Sequence, residues 1–460
     1  MGTYVGDSRL FRDQFGTDRM REVFSDEATV QRWLDVEAAL ARVQARLGII
    51  PEAAARAIGD HARVELIDLD EMKREMDRTS HPIVPLLRAI KKACPGDAGE
   101  WVHWGATTQD IMDTGTVLQL RDALDEIEAG MRELLAAVCA LARRHRDTAM
   151  AGRSHGQQAL PITFGFKAAV WAAEVARHLD RIAEMRPRVL VGQFSGAVGT
   201  LAALGRDGDA VQRGLMAELG LGVPPIAWHT ARDGMAELAC VLAIATGTLG
   251  KVAHEVYALQ KTETAELEEP FSPGKVGSST MPHKRNPPAC ETIAALARAV
   301  RAIAPQAIEG VMAEHERDKI VLQSEREWTA RLFCMADAAL RKSIAVMRGL
   351  TVRTGNMERN LGALKGLLMS EPVMFALGAR FGRQEAHEVV YEVCMAAFEA
   401  DRPLREALLA HPRIGAELGA EEVDRMLDPH GYTGMAGEFV DRVLAEVAAK
   451  LPEGAGTTAR

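Results

Sequence analysis

The chain is poor in aromatic residues, in paired cysteines and in long apolar runs, and each shortage excludes something. Aromatics make up 5% of 460 residues, so aliphatic side chains and alanine must fill the core. The six cysteines (Cys94, Cys139, Cys240, Cys290, Cys334 and Cys394) are scattered, with no CxxC pair. That spacing argues against a disulfide framework and predicts buried free thiols in a cytoplasmic protein. There is no HExxH, no paired His/Cys spacing, no Walker loop and no GxGxxG following a strand. Neither a metal nor a nucleotide cofactor is therefore expected. The net charge is −9, which lacks the basic footprint of a nucleic-acid partner. No apolar run approaches the roughly 20 residues of a membrane span, so no membrane partner is expected. The polar stretch from Met1 to Leu10 lacks the apolar core of a signal peptide, again predicting a cytoplasmic protein.

What the sequence does have is helical periodicity. After Phe24-Ser25-Asp26, the residues Trp33, Val36, Leu40, Val43 and Leu47 recur at spacings of three and four. Ser25 or Asp26 can cap the start, Gly48 suits a left-handed end, and Pro51 stops the segment. Two longer segments step alternately by four and three. One runs Leu120, Leu124, Ile127, Met131, Leu134, Val138, Leu141; the other runs Leu238, Leu242, Ala245, Leu249, Val252, Val256, Leu259. Such seams belong to helices lying side by side at shallow angles. Further helical patterns cover about Phe166 to Met185 and about Glu291 to Ile308, and no stretch alternates well enough for a substantial sheet. The expected fold class is all-α. An N-terminal helical unit is expected over 1–112, a central long-helix bundle over 113–355 and a smaller C-terminal helical unit over 356–460, with Leu451 to Arg460 a frayed tail.

Four polar clusters interrupt the helices. They are Thr79-Ser80-His81-Pro82; His103 to Asp110, which contains Thr107 and Thr108; Gly152 to Gln158, which contains His155; and Gly277 to Pro287. The last reads Gly277-Ser278-Ser279-Thr280-Met281-Pro282-His283-Lys284-Arg285-Asn286-Pro287, with Pro270, Pro273, Gly274 and Pro288 around it. So many prolines and glycines exclude a helix interior or a central strand. Long loops of this kind are functional or disordered. Each cluster also has a structural reading. Thr107-Thr108 suits an N-cap, His81 a turn, His155 a hydrogen-bonded core position, and His283-Lys284-Arg285 a solvated patch.

The pattern Gly277-Ser278-Ser279-x-Met281-Pro282-x-Lys284-x-Asn286 resembles the signature of the fumarase/aspartase superfamily. So do Glu291, five positions past Asn286; Thr107-Thr108 with Asp110; Gly152-Arg153-Ser154-His155-Gly156; and Ser195 to Thr200. The resemblance extends from about Phe11 to Glu446 and is nearest the adenylosuccinate lyase and 3-carboxymuconate cycloisomerase branch. It implies a three-part all-helical subunit, a homotetramer with active sites built from three subunits, and a small dicarboxylate substrate. It also implies reversible β-elimination, often releasing fumarate, without metal or organic cofactor.

The resemblance also implies roles. Ser278 matches the base that removes a weakly acidic C–H proton, with Ser279 beside it for substrate binding. Lys284 and Asn286 match the groups that stabilise the resulting aci-carboxylate. Thr107 and Thr108 match donors to a carboxylate. His155 matches the acid or its orienting partner, paired with Glu291, and His81 a second histidine near the leaving group; His155 stands ahead of His81 as the acid. Arg232 and Arg326 are retained from the substrate contacts of adenylosuccinate lyases. Gln14, Phe15, Ser80 and Ala231 stand where those lyases carry polar nucleotide contacts, which argues against adenylosuccinate. Trp228-His229-Thr230 and Leu427 to Tyr432 look like the cycloisomerases, yet His81 and His155 stand where those enzymes typically carry other residues.

The expectation is a carbon–nitrogen lyase for a small amino-, imino- or nitro-substituted succinate, releasing fumarate; nitrosuccinate lyase is one such activity. The alternatives are 3-carboxy-cis,cis-muconate cycloisomerase, adenylosuccinate lyase and, in a different class, a catalytically silent structural member. Thr108 and His155 flank a helix of about 30 residues, which spans about 45 Å. A common pocket then needs another subunit's His155, in an antiparallel association held by the two seams.

Overall fold

Asp26–Arg46 forms the helix (α1) that the apolar spacing demands. The Ser25 hydroxyl caps its start, accepting from the Ala28 amide at 3.1 Å. The chain turns off through Gly48 at φ +71°, and the Ile49 amide returns to the Gln44 carbonyl at 2.9 Å. Val36, Leu40 and Val43 are buried. The computed structural model describes residues 4–271, 274 and 277–451. Pro273 and the tail beyond Leu451 lie outside the described residues.

The fold is all-α. After α1 come α2 (Leu69–Thr79), α3 (Ile83–Ala93), α4 (Thr108–Arg144), α5 (Phe164–Val189), α6 (Asp233–Leu259), α7 (Pro288–Glu309) and α8 (Lys319–Gly349). Shorter helices follow between Thr354 and Val447. Two antiparallel strand pairs are the exceptions. β1 (Ala149–Ser154) pairs with β2 (Gln157–Thr163), and β3 (Leu267–Glu268) pairs with β4 (Thr351–Val352). The 31-residue α8 carries no clean apolar seam in its first half, where charged residues crowd, and the spacing does not single it out.

No residue of either seam is more than 8% exposed. Both seams are thus filled within one chain, which corrects the expectation that they present a surface to another copy. A second correction concerns α6. By length and composition it can cross a membrane, with mean hydropathy 1.5 in its most apolar window, of which 61% is buried inside the protein. Thr246, Gly247, Thr248 and Gly250 dilute that helix, so it reads as a seam rather than as a run. The cysteines are free thiols; Cys94, Cys139 and Cys290 are buried and the other three half-buried.

The chain divides into two compact units. One comprises the residues up to Gly130 with His178–Gly247 and Ala295–Arg341. Its core includes Leu34, Leu40, Ile83, Ile90, Ile111 and Phe194. The other comprises Met131–Arg177, Thr248–Ala294 and the chain from Lys342 onward. There Val373, Leu377, Val390, Leu404, Leu408 and Ile414 form the core of the C-terminal helices.

Candidate active site

In the first unit, the link between α2 and α3 places His81. Ser80 ends α2 in the left-handed region at φ +52°, its amide on the Met76 carbonyl at 2.8 Å. The His81 ring then caps α3, because Nδ1 accepts from the Val84 amide at 3.2 Å. Its other nitrogen, Nε2, lies 3.1 Å from Thr108 Oγ1. A ring whose Nδ1 accepts carries its single neutral-form proton on Nε2, so His81 donates to Thr108. Burial, then Lys319, Arg317 and His103, hold His81 below the ordinary histidine value. It is a neutral donor near pH 7. Thr107 Oγ1 likewise accepts, from Arg317 NH1 at 2.8 Å. With both threonine oxygens engaged as acceptors, both hydroxyl protons are left to donate to an anion.

Asp110 fixes these threonines at the start of α4. It is fully buried and accepts four hydrogen bonds. Oδ1 takes the Ser195 amide at 3.0 Å and His229 Nε2 at 2.9 Å; Oδ2 takes the Gly196 amide at 2.9 Å and the Thr107 amide at 3.0 Å. One carboxylate therefore joins the Thr107-Thr108 turn to the Ser195-Gly196 turn and to His229.

One turn further along α4, Asp113 and Glu325 enclose Arg232. The guanidinium donates to both Asp113 oxygens at 2.9 and 3.2 Å, to Glu325 Oε1 at 2.8 Å, and also to Glu325 Oε2. Arg232 is 3% exposed, and its fork is occupied by these two carboxylates. Gln109 joins them, donating to Asp113 at 3.0 Å and to the His229 carbonyl at 2.9 Å. Arg326, on α8, donates to Gln323 at 2.7 Å and lies against the Met112 sulfur.

The second unit carries the other residues singled out from the sequence. His155 and Gly156 form the two-residue tip of the β1–β2 hairpin, with Ser154 opposite Gln157. Both tip residues have positive φ, 52° and 77°, the signature of a type I′ turn. His155 is exposed there and makes no hydrogen bond to Glu291 among the described residues. Below the tip, Arg153 is anchored on the buried Glu266 at 2.7 and 2.9 Å.

The signature loop closes on itself. A Cβ at Gly277 would lie 2.1 Å from the Lys284 carbonyl oxygen, so only glycine lets these two strands of the loop approach. That approach brings the serine end of the loop beside its lysine end. Ser278 Oγ accepts from the Met281 amide at 3.0 Å and the Thr280 amide at 3.4 Å, and Ser279 is exposed. Lys284, Asn286 and Glu291 line one cavity of about 890 Å³ together with Tyr257, Lys261 and Asn356. His155 is not among its lining residues. No group of three or more His, Cys, Asp or Glu among the described residues is placed to hold a metal ion.

Residues 12–302, more than half of the chain, match the sequence family described as "Lyase", and residues 366–443 match "Adenylosuccinate lyase C-terminus". The chain belongs to the fumarase/aspartase superfamily. Within that superfamily it falls in the adenylosuccinate lyase and 3-carboxymuconate cycloisomerase branch. It is 44% identical to N-acetyl-S-(2-succino)cysteine lyase of Dickeya dadantii, over 96% of this chain and 98% of that one. It is 42% identical to 3-carboxy-cis,cis-muconate cycloisomerase of Pseudomonas aeruginosa, over 95% and 96% of the two chains. Among solved structures, fumarate lyase from Mesorhizobium sp. BNC1 superposes with a TM-score of 0.89 at 43% identity, covering 94% of this chain and 98% of that one.

Sequence reasoning missed Arg317 and Lys319. Their signal was the polar stretch His315-Glu316-Arg317-Asp318-Lys319 that leads into α8, a helix that the apolar spacing does not single out.

Proposed function

We propose that this superfamily enzyme is a β-eliminating lyase that releases fumarate from a succinate bearing a thioether at C2, of the N-acetyl-S-(2-succino)cysteine type. The observation that carries the substrate is the 44% identity, along nearly the full length of both chains, to a relative of that name. This moves the leaving group from nitrogen, as the sequence led us to expect, to sulfur. Chemistry supports the move. A thiol has a pKa near 8.5 and departs largely as its anion, whereas an amine must be protonated first. A neutral His81 beside Arg317 and Lys319 suits an anionic departing group better than it suits proton donation to an amine.

In the proposed reaction Thr107 and Thr108 hold one succinate carboxylate with the hydroxyl protons that His81 and Arg317 leave free. Ser278 takes the C3 proton as its alkoxide, which a loop closed over the substrate and excluding water stabilises. The electron pair enters the adjacent carboxylate, and the ammonium of Lys284 and the carboxamide of Asn286 stabilise the aci-carboxylate. The pair then forms the C2=C3 bond and expels the sulfur from C2. His155 brought in by another copy, with Glu291 as its partner in the assembly, supplies the proton that turns thiolate into thiol. Arg232, committed to Asp113 and Glu325, acts by positioning the start of α4.

The working form in this reading is a homotetramer whose sites combine different copies. α4 has 37 residues and so spans about 55 Å, with Thr108 at its start and the His155 hairpin following its end. In α6, 61% of the most apolar window is buried within the chain, which leaves apolar surface for another copy to cover.

The test is direct. Purified enzyme given N-acetyl-S-(2-succino)cysteine is expected to release fumarate and a free thiol in equal amounts. Absence of both products would overturn the substrate assignment. Subunits carrying Ser278→Ala and His155→Ala, each inactive alone, are expected to regain part of the activity after exchange. No recovery despite demonstrated exchange would rule out shared sites. A second reading, lactonisation of 3-carboxy-cis,cis-muconate, rests on the 42% identity to a cycloisomerase. It is tested separately by loss of the muconate absorbance.

A further inference from the structure

Arg317 and Lys319 bring two positive charges to the His81–Thr108 pair, and neither makes an ion pair among the described residues. Arg317 donates to Thr107 Oγ1 at 2.8 Å and lies 3.4 Å from Gln109 Oε1, both neutral partners. The Lys319 ammonium is held by the Ser80 carbonyl at 3.2 Å, next to His81 in sequence. The acid between them in sequence forms an ion pair with neither among the described residues. Asp318 is turned back on its own backbone, accepting from the Ile320 amide at 2.8 Å and the Glu314 amide at 3.1 Å.

An exposed lysine ordinarily ends in solvent, and its charge then matters little. Lys319 differs because its ammonium is fixed. One of its three N–H groups goes to the carbonyl oxygen of Ser80, the residue before His81, and the other two stay available to a ligand. The charge is felt at the imidazole, since Lys319 follows burial among the influences that hold His81 below its ordinary value. Arg326 lies seven residues further along α8, two turns on and on the same face. Arg326 there reaches Gln323 and the Met112 sulfur, so of these cations Arg317 and Lys319 are the ones beside the His81–Thr108 pair.

The substrate class proposed above carries three carboxylates. Two belong to the succinyl part, and Thr107, Thr108, Lys284 and Asn286 account for them. The third belongs to the departing N-acylcysteine and needs a cation of its own near His81. We infer that Lys319 binds the carboxylate of the departing amino-acid thiol and so sets specificity for an anionic leaving group over a neutral one. The inference rests on the reading of the reaction above, and its test separates the two.

The probes are N-acetyl-S-(2-succino)cysteine and its cysteamine counterpart, identical except that the leaving group lacks the carboxylate. The quantity read is the ratio of kcat/KM for the acid to that for the cysteamine compound. A charge-assisted hydrogen bond predicts a ratio of roughly 10 or more in the wild type. Lys319→Met is expected to bring it close to one, and Lys319→Arg to restore part of it. An unchanged ratio in Lys319→Met, or a wild-type ratio near one, would overturn the inference. Calorimetric titration with N-acetylcysteine and with N-acetylcysteamine needs no turnover. The wild type is expected to prefer the acid by a similar factor and Lys319→Met to lose that preference. If neither thioether is cleaved but the binding preference behaves this way, the reaction assigned to the enzyme fails while the Lys319 site stands. If the preference is absent, the Lys319 site fails whatever the turnover.

Discussion

Thr108 Oγ1 lies 3.1 Å from His81 Nε2, and the donor in that pair is set from the far side of the ring. Because Nδ1 accepts the Val84 amide that opens α3, the proton of the neutral imidazole resides on Nε2. The capping of one helix thereby decides which way a threonine at the start of another helix points its hydroxyl proton.

That relationship has a pH signature. Protonating His81 would set an Nδ1–H against the Val84 N–H and break the cap, so the ring that donates to Thr108 through Nε2 loses its anchor. Burial, Lys319, Arg317 and His103 all lower its pKa in the fold, so the unfolded chain takes up this proton first as pH falls. Its contribution to stability is therefore full above the ordinary histidine value of about 6.5 and is lost progressively below it. Thermal melts of wild type and His81→Gln across this range are expected to converge as pH drops, the wild type losing more. Parallel curves would show that His81 is not the group responsible. The acid limb of kcat/KM is expected to fall below the same value.

Asp110→Asn replaces one of two acceptor oxygens by an NH2 group facing two donors. Oδ1 meets the Ser195 amide and His229, and Oδ2 meets the Gly196 and Thr107 amides, so either orientation of the amide opposes donor to donor. A loss of about 3 kcal/mol in denaturant unfolding is expected, with a raised KM from misplaced threonines. Wild-type stability in the variant would mean that the four hydrogen bonds do not hold this turn.

Gly277→Ala tests closure of the signature loop. The added methyl would meet the Lys284 carbonyl oxygen at 2.1 Å, so the backbone must open there. The surrounding loop is largely exposed, and the melting temperature is expected to stay within about 3 °C of the wild type, as a change below 1 kcal/mol gives. Turnover is expected to fall at least about tenfold, because a displaced Ser278 or Lys284 loses reactive geometry. Full activity would show that the approach of Gly277 to Lys284 is dispensable.

Ser278→Ala removes the proposed base at little cost to the fold, since among the described residues the hydroxyl accepts from just the local Thr280 and Met281 amides. The rate is expected to drop roughly 100- to 10,000-fold with the melting temperature nearly unchanged. Retention of more than about a tenth of the activity would assign proton abstraction to another group.

The sequence by itself determined the helical fold and the chemical inventory. A 4,3 apolar step can be satisfied only by packing one helix stripe, and the residues of both seams from Leu120 to Leu141 and from Leu238 to Leu259 are buried. Ser25 and Gly48 mark the ends of α1 because capping and left-handed turns are local events. Gly277, Lys284 and Asn286 share one Pro/Gly-rich loop that the sequence shows directly, whereas Glu291, on the helix that follows, joined them only through the family resemblance. What spacing could not show was contact between residues far apart in the chain. Tertiary structure decided that Arg232 is consumed by Asp113 and Glu325, that Asp110 ties Thr107 to Gly196 and His229, and that His155 sits at a hairpin tip. It also decided that Arg317 and Lys319 stand beside His81 and Thr107, more than 200 positions earlier in the chain. Hydrogen bonds and charges act over a few ångströms of space. Sequence separation constrains that distance only within one turn of helix or one tight loop, and beyond it the packing of the helices is what sets the distance.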